Sequence, residues 1–369
     1  MKVLNIIDGT GWCGTKEQTY LISVYLKRRG IDSELALAEN HIEMIQKVRN
    51  EIKLHFYGKH MGGISRFNPW ILKKLKSIVQ SKEYDVIVAH SSHAYDYVRF
   101  IYPFLKNKPK LVALRRSGYV PNIISKYLKY KMADRIVVVS RKVANLLIKK
   151  NFFPEKIEVI ESGIDLKKFK PKEELRNEIR RKYGVQEGEF MFVNVANWQP
   201  WRKGQEIILK ALKELPFNNY KMFFAGLGTE SREARETFKK YGLEGRCFGL
   251  GYINDIHNLL QGADLFIFGS FSEGIAGSVL QAMATGRLVV STDAGGIPEY
   301  LKDRVNGFIV KVGDSKSLCK KIVEAVSLPT HVKKEISEKA IATAQLYSIE
   351  HTVDKYIDMF NRLLSNGSS

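Results

Sequence analysis

Two charged residues and a glycine-bracketed loop in the second half of the chain have the types and spacing needed to bind a phosphate-bearing ligand. Lys203 precedes a glycine and a helical pattern, and Glu273 is followed by the loop Gly274–Gly277. An ammonium group can neutralise a dianionic leaving group, and backbone N–H groups at the start of a helix bind oxyanions. Read alone, this combination indicates a loop that binds phosphate groups.

The elements that must position these residues are the strands and helices of a parallel sheet. Asp264–Phe268 (DLFIF) predicts a buried strand, so Glu273 and its loop follow the carboxyl end of that strand, where open α/β sheets bind ligands. Short apolar strands alternate with helical patterns along the chain, which predicts two doubly wound α/β domains. The first series is predicted at 3–7, 84–89, 110–114, 135–139 and 156–160, and the second at 190–196, 221–225, 264–268, 288–291 and 307–310.

Length and composition agree with two soluble globular domains. The chain has 369 residues, of which 44% are hydrophobic and 27% are charged. The charged segment 165–174 suits a linker, and no apolar run approaches the ~18 residues of a membrane-spanning helix. Met1–Asp8 begins directly as a strand rather than as a signal peptide, so we expect a cytoplasmic protein.

The stretch Ser270–Leu301 resembles the nucleotide-sugar signature of the family 4 retaining glycosyltransferases, which have the GT-B fold. In that family a Glu, seven residues and a second Glu precede an Ala-Met-Ala-x-Gly helix end. Glu273 matches the first position, and Gln281 stands at the second, where the family contacts the ribose. The resemblance implies two Rossmann-like domains facing a central cleft. They would be an acceptor-binding domain at 1–166 with the C-terminal helix 349–369, and a nucleotide-sugar-binding domain at 167–348.

Further segments extend the resemblance to the rest of the donor site. In Val193–Gly204 (VNVANWQPWRKG), Lys203 matches the family lysine that grips the diphosphate, whereas Asn197 replaces the family arginine, for which Arg202 could substitute. Gly14–Glu17 resembles the family's Gly-Gly-x-Glu loop, and two glycine turns resemble those around the nucleotide. The predicted donor-binding residues are Gly14, Thr15, Asn197, Arg202, Lys203, Gly226, Gly251, Tyr252, Ile253, Glu273, Gly274, Ile275, Ala276, Gly277 and Gln281.

The resemblance also implies how the reaction proceeds. The predicted catalytic residues are Lys203, Glu273 and His90, the last of which follows the strand YDVIVA. Glu17, Arg115 and Arg116 are the predicted acceptor-binding residues, and the two arginines stand where many family members carry His-Gly. A front-face route, in which the leaving phosphate accepts the acceptor proton, retains the anomeric configuration and needs neither a metal ion nor a cofactor other than the nucleotide sugar.

The charge distribution indicates anionic partners. The net charge is +20, with 29 Lys and Arg against 15 Asp and Glu in residues 1–165, and 30 against 24 in the remainder. The stretches 68–79, 99–110 and 123–131 interleave apolar or aromatic residues with cations, as interfacial segments do. We therefore expect an anionic glycolipid or saccharide acceptor, such as lipopolysaccharide core, and peripheral binding to the inner face of the cell membrane.

Three other functions stay open at this point. Gly9–Gly14 is formally a G-x-G-x-x-G, which a nicotinamide-dependent oxidoreductase would use. Thr15 and Gln18 then predict a capping box at the start of the following helix. An epimerase acting on nucleotide sugars shares the GT-B fold. A nucleic-acid-binding protein would explain the charge, but the chain has no RNP, helix-turn-helix or zinc signature, so no nucleic-acid partner is predicted.

Overall fold

The computed structural model describes residues 1–48, 50–116 and 126–365, which form two compact units. The first contains Met1–Gly163 and the chain from Ile349 onward, and the second contains Ile164–Ser348. The predicted boundary after residue 166 falls in a turn at the start of the second unit, where Oδ1 of Asp165 accepts a hydrogen bond of 3.0 Å from the backbone N–H of Lys167.

The first unit is built on a seven-stranded parallel sheet. Its strands are β1 (Lys2–Ile6), β2 (Asp32–Leu37), β3 (Lys53–Phe56), β4 (Val86–Ala89), β5 (Lys110–Arg115), β6 (Arg135–Val138) and β7 (Ile157–Val159). They lie in the order β3-β2-β1-β4-β5-β6-β7, so the strand order reverses between β1 and β4. A crevice at the carboxyl ends of two such strands is the usual ligand site of an open parallel sheet.

The helices of this unit cover the sheet. They are α1 (Gly14–Arg28), α2 (Ile42–Val48), α3 (Pro69–Gln80), α4 (Ser92–Ile101) and α5 (Arg141–Lys149), with short 3₁₀ turns that include Gly63–Phe67 and a π-helical turn at Lys126–Tyr130. The apolar side of α3, comprising Ile71, Leu75, Ile78 and Val79, is buried in the core. That side of the predicted amphipathic helix therefore stabilises its own domain.

The last helix of the chain belongs to the first unit and packs against α1. A Cβ added to Gly163 would lie 2.6 Å from Cα of Ile349, so only glycine permits this approach. The Gln18 side chain donates to the carbonyl oxygen of Gly163 at 2.6 Å and accepts from its N–H at 3.2 Å. A capping box of Thr15 and Gln18 at the start of α1 was therefore the wrong prediction, because the Gln18 amide is used 145 residues away.

The second unit is built on a six-stranded parallel sheet in the order β10-β9-β8-β11-β12-β13. Its strands are β8 (Phe190–Val195), β9 (Tyr220–Ala225), β10 (Cys247–Gly249), β11 (Leu265–Phe268), β12 (Leu288–Thr292) and β13 (Phe308–Val310). The strand order reverses between β8 and β11. With both sheets parallel and flanked by helices, the predicted α/β class with two Rossmann-like domains is confirmed.

The remaining helices alternate with these strands. In chain order they are α6 (Arg176–Lys182), α7 (Pro200–Lys203), α8 (Gln205–Lys213), α9 (Arg232–Lys240), α10 (Ile256–Gly262), α11 (Gly277–Ala284), α12 (Ile297–Tyr300), α13 (Ser315–Ser327), α14 (Thr330–Gln345) and, in the first unit, α15 (Ile349–Ser365). The strands are apolar and almost wholly buried, which is what burial of both sheet faces requires.

Candidate active site

Apart from Gly14 and Thr15, the predicted donor-binding residues follow the carboxyl ends of strands in the second sheet. The segment after β8 leads through Asn197 and α7 to Lys203, and the segment after β11 leads through Glu273 to α11. Because β8 and β11 are neighbours at the point where the strand order reverses, these two segments meet at the usual ligand site of the fold.

Lys203 and Glu273 form an ion pair at this edge. Nζ of Lys203 lies 2.7 Å from Oε1 of Glu273, and the side chains are 20% and 10% exposed. The hydroxyl of Ser270 donates to the same carboxylate oxygen at 2.7 Å. Ser270 was missed by the sequence interpretation, because a loop serine carries no signal until its partner is known. The three side chains together fix one cation and one carboxylate beside the glycine loop.

Close backbone contact between the two segments sets this geometry. Gly204 has φ +67°, and a Cβ at this position would lie 1.9 Å from the carbonyl oxygen of Gly269. The backbone N–H of Phe271 donates to the carbonyl oxygen of Arg202 at 2.9 Å. The side chain of Arg202 is exposed, whereas Lys203 is turned inward to Glu273. Lys203 and Arg202 were both predicted to bind the donor diphosphate, and the side chain of Lys203 is already fixed by its ion pair with Glu273.

The loop after Glu273 contacts the turn at Gly295 and Gly296 and leads into the uncapped N-terminus of α11. A Cβ on Gly295, which has φ +56°, would lie 1.7 Å from the carbonyl oxygen of Glu273. The N–H of Gly296 donates to the carbonyl oxygen of Gly274 at 2.9 Å. Helix α11 has no side-chain cap at Ala276, so its N-terminal end can face an anion, although the N–H of Val279 already donates to the carbonyl oxygen of Ala276 at 3.1 Å. Gln281 lies one turn further along α11 and is partly exposed.

The turns that were predicted to surround the nucleotide contact each other. The N–H of Gly226 donates to the carbonyl oxygen of Gly251 at 2.8 Å, and the N–H of Gly251 donates to the hydroxyl of Thr229 at 2.9 Å. Oδ1 of Asn197 accepts from the N–H of Leu227 at 3.1 Å, so this amide braces the loop after β9. Tyr252 and Ile253 follow directly and are partly exposed. Thr229 is a second residue that the sequence interpretation missed.

The predicted residues of the first unit lie in and around the start of α1 and the ends of β4 and β5. Gly14 and Thr15 open α1, and the Glu17 carboxylate accepts from the indole N–H of Trp12 at 3.1 Å. Arg115 is buried and donates to the phenol of Tyr130 at 2.7 Å. That contact builds Arg115 into the core of the unit. Ser117 and Gly118, which follow the two arginines in the sequence, lie outside the described residues.

His90 is completely buried at the end of β4. Its Nε2 lies 2.8 Å from Oδ1 of Asn5, whose own amide nitrogen donates to Ser33 and to the carbonyl oxygen of Glu34. Burial lowers the pKa of His90 well below its ordinary value, and the nearby charge of Arg116 acts in the same direction. The imidazole is therefore neutral at physiological pH. Its catalytic role stays a prediction.

A cluster of ionisable residues that the sequence interpretation missed surrounds Asp8, just beyond β1. The Asp8 carboxylate accepts a hydrogen bond from Ser91 and lies 3.4 Å from Nδ1 of His93. Burial acts to raise the pKa of Asp8, but the bond to His93, the charge of Lys16 and the bond from Ser91 hold it well below its ordinary value. Lys16 is itself buried and donates to the Asp8 carbonyl oxygen. Asp8 itself, a polar residue shortly after the apolar strand β1, was the sequence signal that could have indicated this cluster.

The described residues contain neither a candidate metal cluster nor a helix that could span a membrane. Residues 1–48, 50–116 and 126–365 contain no group of three or more His, Cys, Asp or Glu side chains arranged to hold a metal ion. Within the same ranges, every helix is too short or too polar to cross a bilayer.

Both halves of the chain match models of glycosyltransferase families. Residues 176–344 match the family described as Glycosyl transferases group 1, and residues 13–168 match Glycosyltransferase Family 4. The two matches together span most of the chain, including the Lys203–Glu273 pair and the start of α1.

Individual relatives are distant. The putative glycosyltransferase EpsD of Bacillus subtilis (strain 168) is 27% identical over 201 residues, which are 54% of this chain and 52% of that protein. The chain thus spans about half the length of this relative. A UDP-Gal:alpha-D-GlcNAc-diphosphoundecaprenol alpha-1,3-galactosyltransferase of Escherichia coli is 24% identical over 319 residues, covering 78% of this chain and 81% of that one.

A solved structure is similar over almost the entire chain. HepE of Anabaena, crystallised in complex with UDP and glucose, has a TM-score of 0.85 at 22% identity and covers 98% of this chain and 100% of that one. This likeness confirms the predicted GT-B fold. The two family matches show that the chain belongs to the group 1, family 4 glycosyltransferases.

Proposed function

We propose that the protein transfers a sugar from a nucleoside-diphosphate sugar to a hydroxyl group of a membrane glycolipid, such as lipopolysaccharide core, with retention of the anomeric configuration. The observation that carries this proposal is the Lys203–Glu273 ion pair beside the open N-terminus of α11. A cation and a row of backbone N–H groups at one sheet edge suit a diphosphate leaving group.

The donor is held by the carboxyl edge of the second sheet in this proposal. Lys203 and Arg202 contact the diphosphate, and the N–H groups of 275–277 bind its oxygens as negative charge grows on them. Glu273 orients the sugar and Gln281 binds the ribose diol. The base rests against the turn Gly251–Ile253.

The acceptor proton goes to the leaving diphosphate. As the bond between the anomeric carbon and the phosphate oxygen breaks, the acceptor oxygen forms its bond on the same face, and the departing oxygen takes the hydroxyl proton. Configuration is retained without a covalent intermediate between sugar and enzyme. The electrostatic stabilisation comes from Lys203, Arg202 and the loop amides, so this route uses neither a metal ion nor a further cofactor.

A membrane-bound acceptor is supported by an exposed surface of the first unit. Five exposed apolar side chains make up this aromatic-basic surface, with exposures of 57–79%: Ile64, Phe67, Trp70, Phe104 and Leu128. The described part of the predicted segment 123–131 begins at Lys126 and contributes Leu128. Apolar side chains that stand out of a positively charged domain favour a bilayer of anionic lipids. The E. coli relative is also named for an acceptor carried on a lipid diphosphate.

Cations lie among these side chains. The guanidinium of Arg66 stacks on Phe67 at 5.0 Å, and Arg99 stacks on Phe100 at 4.2 Å while donating to the carbonyl oxygen of Leu128 at 3.3 Å. The rings of Phe67 and Phe100 are 5.6 Å apart. This arrangement lets the aromatic side chains enter the interface while the cations meet lipid phosphates. It supports a peripheral protein on the inner face of the cell membrane.

A calorimetric panel of UDP, GDP, ADP and CMP sugars tests the proposal. One nucleotide class should bind to the full-length protein, and the corresponding donor should yield a product whose anomeric proton coupling matches that of the donor. Absence of binding by every nucleotide sugar would refute the donor site, and an inverted product would refute the front-face route.

A further inference from the structure

A largely buried guanidinium in the first unit, that of Arg116, has no counter-ion among the residues that the structure describes. Arg116 directly follows β5, and its Nη1 donates to the hydroxyl of Ser162 at 3.3 Å. Its Nε and Nη2 are shielded from solvent and have no hydrogen-bond partner among the described residues. Within those residues, no carboxylate lies within ion-pair distance of Arg116. A buried charge in this state strongly favours binding of an anion.

The surroundings of Arg116 do not neutralise it. Tyr356 and Cys13 are the ionisable groups that act on its charge. Burial raises the pKa of Tyr356 to about 12, so its phenol is uncharged at physiological pH. Burial also lowers the pKa of Arg116, yet an arginine starts so far above neutrality that it stays protonated.

The two unpartnered nitrogens share one edge of the guanidinium. The N–H of Nε and one N–H of Nη2 point in the same direction, and this edge binds two oxygens of a carboxylate or phosphate side by side. Arg115 offers no such edge to a ligand, since it bonds Tyr130 and lies over the rings of Tyr130 and Phe152 at 5.1 and 5.4 Å. The two neighbouring arginines therefore have different roles.

His90 supplies the complementary group. Because Asn5 turns its oxygen to His90, Nε2 of the neutral ring is the donor in that bond, and Nδ1 is left as an acceptor. Nδ1 is buried and has no partner among the described residues. Arg116 and His90 are near enough to interact electrostatically. Arg116 thus offers two donors, and His90 offers one acceptor.

We propose that Arg116 and His90 bind an oxyanion carried by the glycosyl acceptor, a phosphate or a carboxylate, with a neighbouring hydroxyl donating to Nδ1 of His90. This inference rests on the proposed function, which gives the first unit the acceptor. It narrows the acceptor to an anionic molecule whose charge lies beside a free hydroxyl group.

The side-chain spectrum of the full-length protein labelled with ¹⁵N tests this proposal. The buried Nε–H of Arg116 exchanges slowly and gives a signal, identified by its loss in Arg116→Lys, or in Arg116→Gln if the lysine variant does not fold. Inorganic phosphate and malonate, added separately at constant ionic strength, represent the two candidate groups. We expect one of them to shift this signal to saturation, and the one that saturates at the lower concentration identifies the group.

Two outcomes would overturn the proposal. In the first, neither anion moves the Arg116 signal. In the second, UDP moves it, because the donor diphosphate would then occupy the fork. The control is Lys149→Gln, which removes an exposed cation from the same unit and should leave the titration unchanged. Failure of the proposed function is a separate result, since UDP would then perturb no signal anywhere in the protein.

Discussion

Lys203 Nζ lies 2.7 Å from Glu273 Oε1, so in the free protein the candidate phosphate-binding cation is already held by a carboxylate. To replace Glu273, a ligand must bind this ammonium group more strongly than the Glu273 carboxylate does. A diphosphate with several charged oxygens can do so, whereas a monoanion such as chloride cannot. Removal of the lysine would also leave the Glu273 carboxylate unpaired where the diphosphate binds.

Lys203→Ala should lower kcat/KM for sugar transfer by at least about tenfold, because a diphosphate contact of ~1.4 kcal/mol or more is lost. Steady-state assays with the donor identified by calorimetry give the value. The matched control is Lys210→Ala, which removes an exposed lysine from α8 of the same unit. Full activity of the Lys203 variant would exclude Lys203 from its proposed role.

Gln281→Glu should tighten donor binding severalfold, since a carboxylate accepts the two hydroxyl hydrogens of ribose more strongly than an amide does. Calorimetric titration with the nucleotide sugar measures the change, and Gln345→Glu, exposed at the end of α14, controls for the added charge. Complete loss of binding would instead mean that the ribose contact of this protein depends on the amide N–H₂.

Gly204→Ala should destabilise the fold by more than about 2 kcal/mol beyond its control, because the added Cβ would meet the Gly269 carbonyl oxygen at 1.9 Å. The control is Gly242→Ala, since Gly242 has φ +69° against +67° for Gly204 but open space around its Cβ. Only the cost of the left-handed backbone, roughly 1–2 kcal/mol, is expected there. Urea denaturation gives both values, and equal losses would show that the two segments can move apart.

Glu34→Gln should lower the free energy of unfolding at pH 7 by about 3 kcal/mol. Burial acts to raise the pKa of Glu34, but bonds from Lys82, Tyr84 and His55 lower it from 4.5 to about 2. The ionised carboxylate is therefore stabilising above pH ~4.5, and this contribution disappears as the pH falls towards 2.

Urea denaturation as a function of pH tests this dependence. The difference between the wild type and Glu34→Gln should narrow as the pH falls below ~4.5. Asp32→Asn removes a partly exposed carboxylate that contacts the same Lys82 at 3.1 Å, and a much smaller effect is expected. A Glu34→Gln difference that grows as the pH falls would contradict the assigned cause.

Trp70→Ser combined with Phe104→Ser should weaken binding to vesicles containing anionic lipid by about tenfold or more, because two exposed rings no longer enter the interface. Co-sedimentation measures the bound fraction, and binding by the wild type should fall as salt increases. Trp201→Ser is the control, since Trp201 is 77% exposed but lies in the second unit. An equal loss in both variants would mean that the aromatic-basic surface is not the docking face.

The strands of the second sheet were largely predictable because they are short apolar runs. β11 is the clearest case, with the four residues LFIF all buried, and the loop after it could be placed from that strand alone. The positions of Glu273 and Lys203 at one edge followed from the order of strands and helices along the chain. Their direct contact could not be read from sequence, since it depends on the approach of Gly204 to Gly269.

The sequence pattern did not predict β2, and the reason is physical. Its sequence DSELAL contains Ser33 and Glu34, which are 1% and 2% exposed. Contacts from outside the strand make this burial possible: Asn5 bonds Ser33, while Lys82 and Tyr84 bond Glu34. A distant partner also explains why the capping box predicted at α1 was wrong, because the Gln18 side chain bonds to Gly163 instead. Polar residues satisfied by distant partners give no local pattern.

The unpaired guanidinium of Arg116 also has a consequence for the variation of this sequence. A buried cation that has no carboxylate partner among the described residues destabilises the free protein, so an apolar residue of similar volume should raise its melting temperature. Selection for stability would remove this arginine, whereas selection for acceptor binding would keep it. A library screened only for heat resistance should therefore replace Arg116 early and recover folded proteins that have lost their preference for anionic acceptors.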